Sequence, residues 1–467
     1  MIPLGIVRTG IQSGLPMSVH SCVLDLHLKH DLSSGIGGKY GRLFPDLEGL
    51  KCDEDQLLAL GKAGAAMDVA SDDPEADNPR IAAGYTMFGH MLAHDLTADR
   101  SLLQHHASLQ RIHNFRTPRI DFESMYGAGP AGAPYMYDSA DPDKFLLGTD
   151  ETGAPNDLLR NRQGKAVIGD PRNDVHGIIS QMHLTMLKLH NRIVDHIRSE
   201  GVAAANTFSQ AQRNLRWHLQ WIALHEYLPL TVGERLMHEI LTQGPRFYRP
   251  SGVEPFIPVE FADAAFRFGH SQIRLSYRLN ESTSAPIFPD LAGGQPIPKT
   301  RVVDWRYFLS LDSAVTPQLS KRIAPYVAHT LIDLPESIVG PTPQPEYHSL
   351  ACRDLLRARA LRLPSGEAIA RHIGARPLGE DEVGLKEHGW TCETPLWYYI
   401  LREAEAQHRG ESLGDVGGRI VAETLVGIVD ADPTSFRSAD PSWKPTLPTR
   451  HDGRFTFADA VAFATAS

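Results

Sequence analysis

Little in this chain points toward nucleic acid, a disulfide scaffold, a zinc ribbon or a membrane span. It carries 46 Lys and Arg against 56 Asp and Glu, a formal net charge of −10, and no lysine- or arginine-dense run. Nucleic acid is therefore not an expected partner. Its four cysteines, Cys22, Cys52, Cys352 and Cys392, are scattered with no CxxC spacing and read as free thiols. No apolar run approaches the ~18 residues of a membrane span. The first residues have a short apolar start but no charged region leading into a sustained apolar core, so a conventional secretion signal is not expected. The chain reads as soluble, placed in the cytoplasm or exported by a route independent of a signal peptide. Strand-like alternation is also scarce.

What is abundant is helical periodicity. In "HGIISQMHLTMLKLHNRIVDHIRSE" (176–200), Ile178, Met182, Met186, Leu189, Ile193 and Ile197 recur at steps of three and four, one buried helical stripe. Residues 207–228 and 397–408 show the same pattern. The Pro/Gly-rich pieces 285–298 and 334–349 read as long ordered loops. No internal repeat or low-complexity linker divides the 467 residues, a length that allows one large domain or several ordinary ones. The expectation is a mainly α fold: a single large helical domain over 76–436 with little β, an N-terminal extension (1–75) packing on it, and a C-terminal tail (437–467) that is proline-rich near 437–450, before a last short segment.

The stretch "TMFGHMLAHDLTADRS" sets His90 and His94 one helical turn apart on a shared face, with Asp95 turned away from it. The spacing alone suits a zinc pair lacking its third ligand, or two structural histidines. Downstream, "RTPRIDFESMYGAGP" places Thr117, Asp121 and Glu123 at alternating positions, the way a loop wraps a hard cation such as calcium. Acidic loops are more often simply solvated. "GDPRNDVHG" puts Arg172 after a proline that suits a helix start. "AFRFGHSQI" puts His270 close after Phe266 and Phe268, where an imidazolium is costly but a neutral metal ligand is acceptable. A satisfied core histidine is the plainer reading of His270 taken alone.

In order along the chain, "FGHMLAHD", "TPRIDFESMYG", "GDPRN" running into a helix that ends "HNR", "FRFGH", "RDLLRARALRLPSG" and "TPLWYYILREAE" resemble the animal-type haem peroxidase family, the peroxidase–cyclooxygenase superfamily, in a bacterial-like branch. The resemblance runs from about residue 80 to 436. It implies a haem peroxidase that reduces hydrogen peroxide via a high-valent iron-oxo intermediate and oxidises a small-molecule donor, with a role in the response to oxidative stress. It places His94 as distal histidine, Arg172 as distal arginine and His270 as the proximal ligand of haem iron. A neutral base takes a proton from the peroxide oxygen that binds iron and returns it to the one that leaves; a fixed cation beside it stabilises the separating charge. The resemblance also implies calcium held by Asp95, Thr117, the carbonyl of Arg119, Asp121 and Glu123, although the family usually has serine in the last place.

Other departures bear on the chemistry. Ala93 and Val175 stand where mammalian members carry acids esterified to haem, so a non-covalent haem b is expected. His90 replaces a glutamine near the halide site, which makes halide oxidation doubtful and pH-sensitive. Asp354 replaces an asparagine that hydrogen-bonds the proximal histidine; a carboxylate there would lend His270 imidazolate character, unless it pairs with Arg353 or Arg357 instead. Arg357 and Arg267 are candidates for the haem propionates. A fatty-acid dioxygenase of the same superfamily would need a tyrosine three residues before His270, where this chain has Arg267. A non-catalytic haem and calcium protein used for adhesion would not require His94 and Arg172. No motif names the reducing donor, which could be phenolic, aromatic or a halide, or sets the oligomeric state.

Overall fold

The computed structural model describes residues 40–98, 112, 114–201, 203–250, 255–342, 344–390, 392–451 and 453–466. Cys22 and the first 39 residues of the expected N-terminal extension lie outside them. The described architecture is mainly α. Four two-stranded pairings are its sheet content among the described residues. The longest joins β1 (Asp77–Ala82) to β2 (Leu319–Lys321), antiparallel, and delivers the chain into α1 (Ala83–Leu96).

The helix α2 (Gly177–Ser199) follows the predicted stripe, with Ile178, Met182, Met186, Leu189, Ile193 and Ile197 all buried. Its first half is buried on every face, because α1, α3 (Thr207–Ile222) and the last helix all pack against it. At its start the His176 ring accepts from the Ile179 amide at 3.2 Å, satisfying one of the orphan donors of a helix N-terminus. The helical run expected over 207–228 changes pitch: α3 passes into a π-helical turn (Ala223–Tyr227) and then Leu228–Val232, stopping at Gly233, whose φ of 89° only glycine adopts easily.

The proximal half is built on α4 (Leu350–Ala360), α5 (Leu396–His408) and α6 (Asp415–Ala431). Ser349 caps α4 by accepting from the Cys352 amide. The segment expected as a tail ends in α7 (Phe457–Thr465), which has a Thr456/Asp459 capping box and packs along α2. At the other end, Tyr40–Gly41 pairs with Ile257–Pro258, and the buried Glu260 accepts from the Leu43 and Phe44 amides. No described helix is long and apolar enough to cross a membrane.

Candidate functional site

His90, His94, Arg172 and His270 line one cavity. It encloses about 1150 Å³ of space when its open mouth is counted. Its walls are largely apolar, with Phe261, Phe266, Ile287, Phe288, Leu334 and Ile338 among them. The loops 285–298 and 334–349 supply four of those six side chains, so the Pro/Gly-rich pieces serve as cavity wall.

His94 is held from behind. Its Nδ1 lies 2.8 Å from Asn173 Oδ1, and Asn173 Nδ2 lies 3.0 Å from Nδ1 of the buried His183. An amide oxygen only accepts, so His94 carries a proton on Nδ1 and, when neutral, presents the Nε2 lone pair. Complete burial pushes His183 down to about 4, keeping it a neutral acceptor for that amide. His90 Nε2 stands 3.0 Å from His94 Nε2, so His90 donates to the lone pair. The contact is a hydrogen bond between two imidazoles one turn apart. On its other side, the His90 ring lies 5.4 Å from that of His176, which also lines the cavity.

Arg172 sits in the turn Pro171–Asp174 that precedes α2. Asp170 is its anchor, accepting from Arg172 Nε at 3.0 Å and Nη2 at 2.7 Å. Arg172 Nη2 also donates to the His94 carbonyl at 2.8 Å, tying the cation to the helix that carries the base. Burial alone would raise the Asp170 pKa; Arg172 and Arg116 outweigh it and hold the carboxyl well below the usual range.

On the proximal side, His270 lies in the 3₁₀ segment Ala265–Gln272. Its Nδ1 is 2.6 Å from Asp354 Oδ2 on α4, which leaves Nε2 as the ring nitrogen able to meet an iron in the cavity. The carboxylate is shared: Arg267 Nη1 donates to Asp354 Oδ1 at 2.5 Å. Arg267 Nη2 and Arg357 Nε both reach Asp263 Oδ1 at 2.9 Å, and Arg267 Nε donates to the Ala262 carbonyl at 3.0 Å. Asp354 thus pairs with His270 and Arg267, while Arg353 Nε turns to the Tyr347 carbonyl. Burial raises the Asp354 pKa, but Arg267 first and His270 second reverse that and leave it lowered. Of the two arginines expected at propionates, Arg357 reaches Asp263 through Nε, and Arg267 reaches Asp263 and Asp354 through Nη2 and Nη1. An imidazole backed by a carboxylate, facing a deep apolar cavity, is a donor set that fits haem.

The expected calcium loop is closed differently. Asp95 Oδ2 accepts from the Phe122 amide at 2.8 Å, and Oδ1 from the Ser124 hydroxyl at 2.8 Å. Phe122 takes a left-handed φ of 55° to aim its amide there, a conformation that costs a non-glycine residue about 1–2 kcal/mol. Thr117 donates to Asp121 at 2.8 Å. The Glu123 carboxylate is drawn away to Arg116, and Ser124 takes its place beside Asp95. Burial, and after it the neighbouring Asp121, push Asp95 up to about 7. Among the described residues no three His, Cys, Asp or Glu side chains gather around one point. The oxygens of Asp95, Thr117 and Asp121 thus meet backbone amides, Ser124 and one another, and the Glu123 carboxylate meets Arg116.

Asp170, Asn173, His176, Asp263 and Tyr227 escaped the sequence reading. Asp170 and Asn173 lie inside "GDPRN", but nothing local says what their side chains hold. Asp263 stands four residues before Arg267, acid before base, a spacing that could have flagged the pair. Tyr227 lines the cavity from the π-helical turn, and its hydroxyl lies against Gly89 on α1.

Residues 114–359 match the family model for animal haem peroxidase. Heme peroxidase 2 of Caenorhabditis elegans is 32% identical over 121 residues, 24% of this chain and 17% of that protein. The matched stretches cover between 9% and 22% of the length of the curated relatives. Among solved structures, peroxidase A from Dictyostelium discoideum superposes with a TM-score of 0.66 at 15% identity, covering 96% of this chain and 97% of that one. The Oryza sativa fatty acid alpha-dioxygenase superposes with a TM-score of 0.56 at 14% identity, covering 85% of this chain and 82% of that one. Likeness at that identity speaks for the fold, and the family-model match spans more than half of the chain. This protein belongs to the animal haem peroxidase family.

Proposed function

We propose that this protein is a haem peroxidase that reduces hydrogen peroxide and oxidises a small organic donor, phenolic or aromatic in class. The observation that carries the reading is one cavity lined by His94, whose Nδ1 is fixed by Asn173, by Arg172, which is tied to the His94 carbonyl, and by the carboxylate-backed His270. His270 Nε2 would hold haem iron, and the redox chemistry of peroxide cleavage is what haem supplies when bound. His94 Nε2 takes the proton from the peroxide oxygen and returns it to the oxygen that leaves as water. His90 releases that lone pair first, so peroxide entry exchanges one hydrogen bond for another. Arg172, held by Asp170, faces the separating negative charge with its orientation already fixed. Ala93 and Val175 line the cavity and cannot form esters, so the haem is non-covalent haem b. His90 makes a halide the less suitable donor.

The deciding experiment is the absorption spectrum of the haem-reconstituted protein before and after one equivalent of hydrogen peroxide. The ferric Soret band is expected to change within seconds, and at least about a hundred-fold more slowly in His94→Ala. A protein indifferent to peroxide, or equally fast without His94, refutes the proposal. Calcium, held by Asp95, Asp121 and Thr117, ties α1 to the following loop in this reading. Chelation by EGTA should lower the melting temperature and calcium restore it; an unchanged melt removes calcium from the account.

A second reading is supported by Tyr227, an oxidisable phenol in the cavity wall, although Arg267 occupies the position where a fatty-acid dioxygenase would carry its tyrosine. Oxygen uptake with palmitate or linoleate, without added peroxide and abolished in Tyr227→Phe, would establish it; no uptake would dismiss it.

A further inference from the structure

Asp170 serves two guanidinium groups at once. Its Oδ2 accepts from Arg172 Nη2 at 2.7 Å and Nε at 3.2 Å, and from Arg116 Nε at 2.9 Å and Nη2 at 2.7 Å. Arg116 has every side-chain nitrogen engaged: Nη2 also donates to the Gly169 carbonyl at 3.3 Å, and Nη1 meets Glu123. Its backbone amide donates to Asn114 Oδ1 at 3.2 Å, and Asn114 is fastened to the end of α1 through the Leu96 carbonyl and the Ala98 amide, both at 2.7 Å. Glu123, Arg116, Asp170 and Arg172 thus form one line of alternating charge, running from the loop after α1 to the cavity wall. The last three are buried, whereas the Glu123 side chain is 36% exposed. A buried carboxylate facing a single guanidinium cancels most of its charge. Asp170 divides its charge between two, so Arg172 keeps more of its own toward the cavity than a closed pair would leave it. Glu123 balances the second cation from the solvent edge, where water weakens its reach.

We propose that Arg116 is a positioning residue for Arg172: by sharing Asp170 it leaves Arg172 with net positive charge toward the cavity, and Glu123, at the solvent end of the line, tempers that charge. The inference rests on Arg172 facing the haem-binding cavity, as in the proposed function. It does not rest on any reaction with peroxide.

A small anion on ferric haem reads that charge directly. In fluoride titrations of the haem-reconstituted protein near neutral pH, followed by absorption, Arg116→Gln should bind about fivefold or more weakly than wild type, because Asp170 then turns wholly to Arg172. Glu123→Gln should bind about twofold more tightly, a small change because the carboxylate it removes is partly solvated. Arg116→Lys, which keeps the charge, should recover most of the wild-type affinity. The carbon monoxide stretch of the ferrous protein reports the same field independently, and should rise in Arg116→Gln and fall in Glu123→Gln. If Arg116 and Glu123 only fasten the loop, losing either partner loosens Arg172, and both variants bind fluoride more weakly than wild type or equally well; either result overturns the proposal. If Arg116→Gln retains no haem, Glu123→Gln still decides the sign, and the haem-free protein with ¹⁵N-labelled arginine supplies the other arm. The proton on Arg172 Nε should move downfield in Arg116→Gln as Asp170 closes on it, and an unmoved or upfield resonance overturns the proposal equally. Opposite fluoride shifts in a protein that ignores peroxide would keep this inference and refute the peroxidase, while matched shifts in a protein that reacts with peroxide would do the reverse.

Discussion

Asp170→Asn tests the distal arrangement at the residue on which it turns. Asp170 is fully buried and accepts from the Arg172 amide at 2.9 Å, Arg172 Nε at 3.0 Å, Arg172 Nη2 at 2.7 Å and Arg116 Nε at 2.9 Å. The substitution keeps the shape, removes the charge and turns one acceptor into a donor facing guanidinium N–H groups. Breaking a buried ion pair costs about 3–5 kcal/mol. Arg116 keeps Glu123 and Arg172 keeps the His94 carbonyl, so the lower end, about 3 kcal/mol, is expected. At roughly 2 °C per kcal/mol for a large chain, the melting temperature should fall by about 6 °C. Arg172 would then be present but no longer aimed, and the second-order rate with peroxide in stopped flow should fall about tenfold or more, short of the hundred-fold or greater loss usual when such a donor is deleted. Melting is to be measured with and without haem, so that weakened cofactor binding is not mistaken for weakened folding. A variant that melts within about 1 °C of wild type in both forms and reacts with peroxide at the same rate would refute the role given to Asp170.

Further outcomes follow from single sites. Acidic acetone should extract all the haem, because Ala93 and Val175 offer no carboxylate; haem left on the polypeptide would contradict that. Burial pushes His183, His190 and His218 each down to about 4 from an ordinary 6.5. The unfolded chain therefore binds more protons between those values, and stability falls as pH drops from about 6.5 toward 4 and levels off below. Asp95 and Glu403, raised to about 7 and about 8, act in the opposite sense, so the histidine contribution is read by difference: the melting-temperature gap between the protein and His218→Gln should shrink as pH falls from about 6.5 to about 4. A gap that stays constant over that range would exclude it. Gly89→Ala would set a Cβ 2.2 Å from the Tyr227 hydroxyl, with an overpacking cost of about 1–3 kcal/mol. Adding Tyr227→Phe should return part of it in urea melts, and no recovery would place the strain elsewhere.

The helices were legible because their signals are local. The stripe from Ile178 to Ile197 needs only periodicity, and the histidine pair on α1 needs only a spacing of four. The last helix was missed for the converse reason: Phe457–Thr465 is short and alanine-rich, follows a proline-rich run, and gains its place by lying along α2, far earlier in the chain. The site divides in the same way. His94, Arg172 and His270 could be placed from motif order, and the resemblance offered Asp354 as the partner of His270, with Arg353 or Arg357 as its alternatives; Asn173, which meets His94 across 79 positions, had no such signal. Glu123 shows the limit of matching position to role: the loop spacing offers it as a cation ligand, yet Arg116, seven residues before it, claims the carboxylate.

His90 is where a substitution gains its meaning only from geometry. From sequence it is an imidazole in place of an amide, and the inference stops at a group able to carry charge. In the fold its Nε2 faces the Nε2 of His94, whose other nitrogen is pinned by Asn173. An amide in that place can donate to the same lone pair and can also turn its oxygen toward a bound molecule. A neutral imidazole that donates from Nε2 has its lone pair on Nδ1, on the far edge of the ring, and must rotate or move its proton to do likewise. The difference between the two residues is therefore one of gating as well as charge. His90→Gln should speed the reaction with peroxide wherever release of His94 is slow, and leave it unchanged where that release is fast.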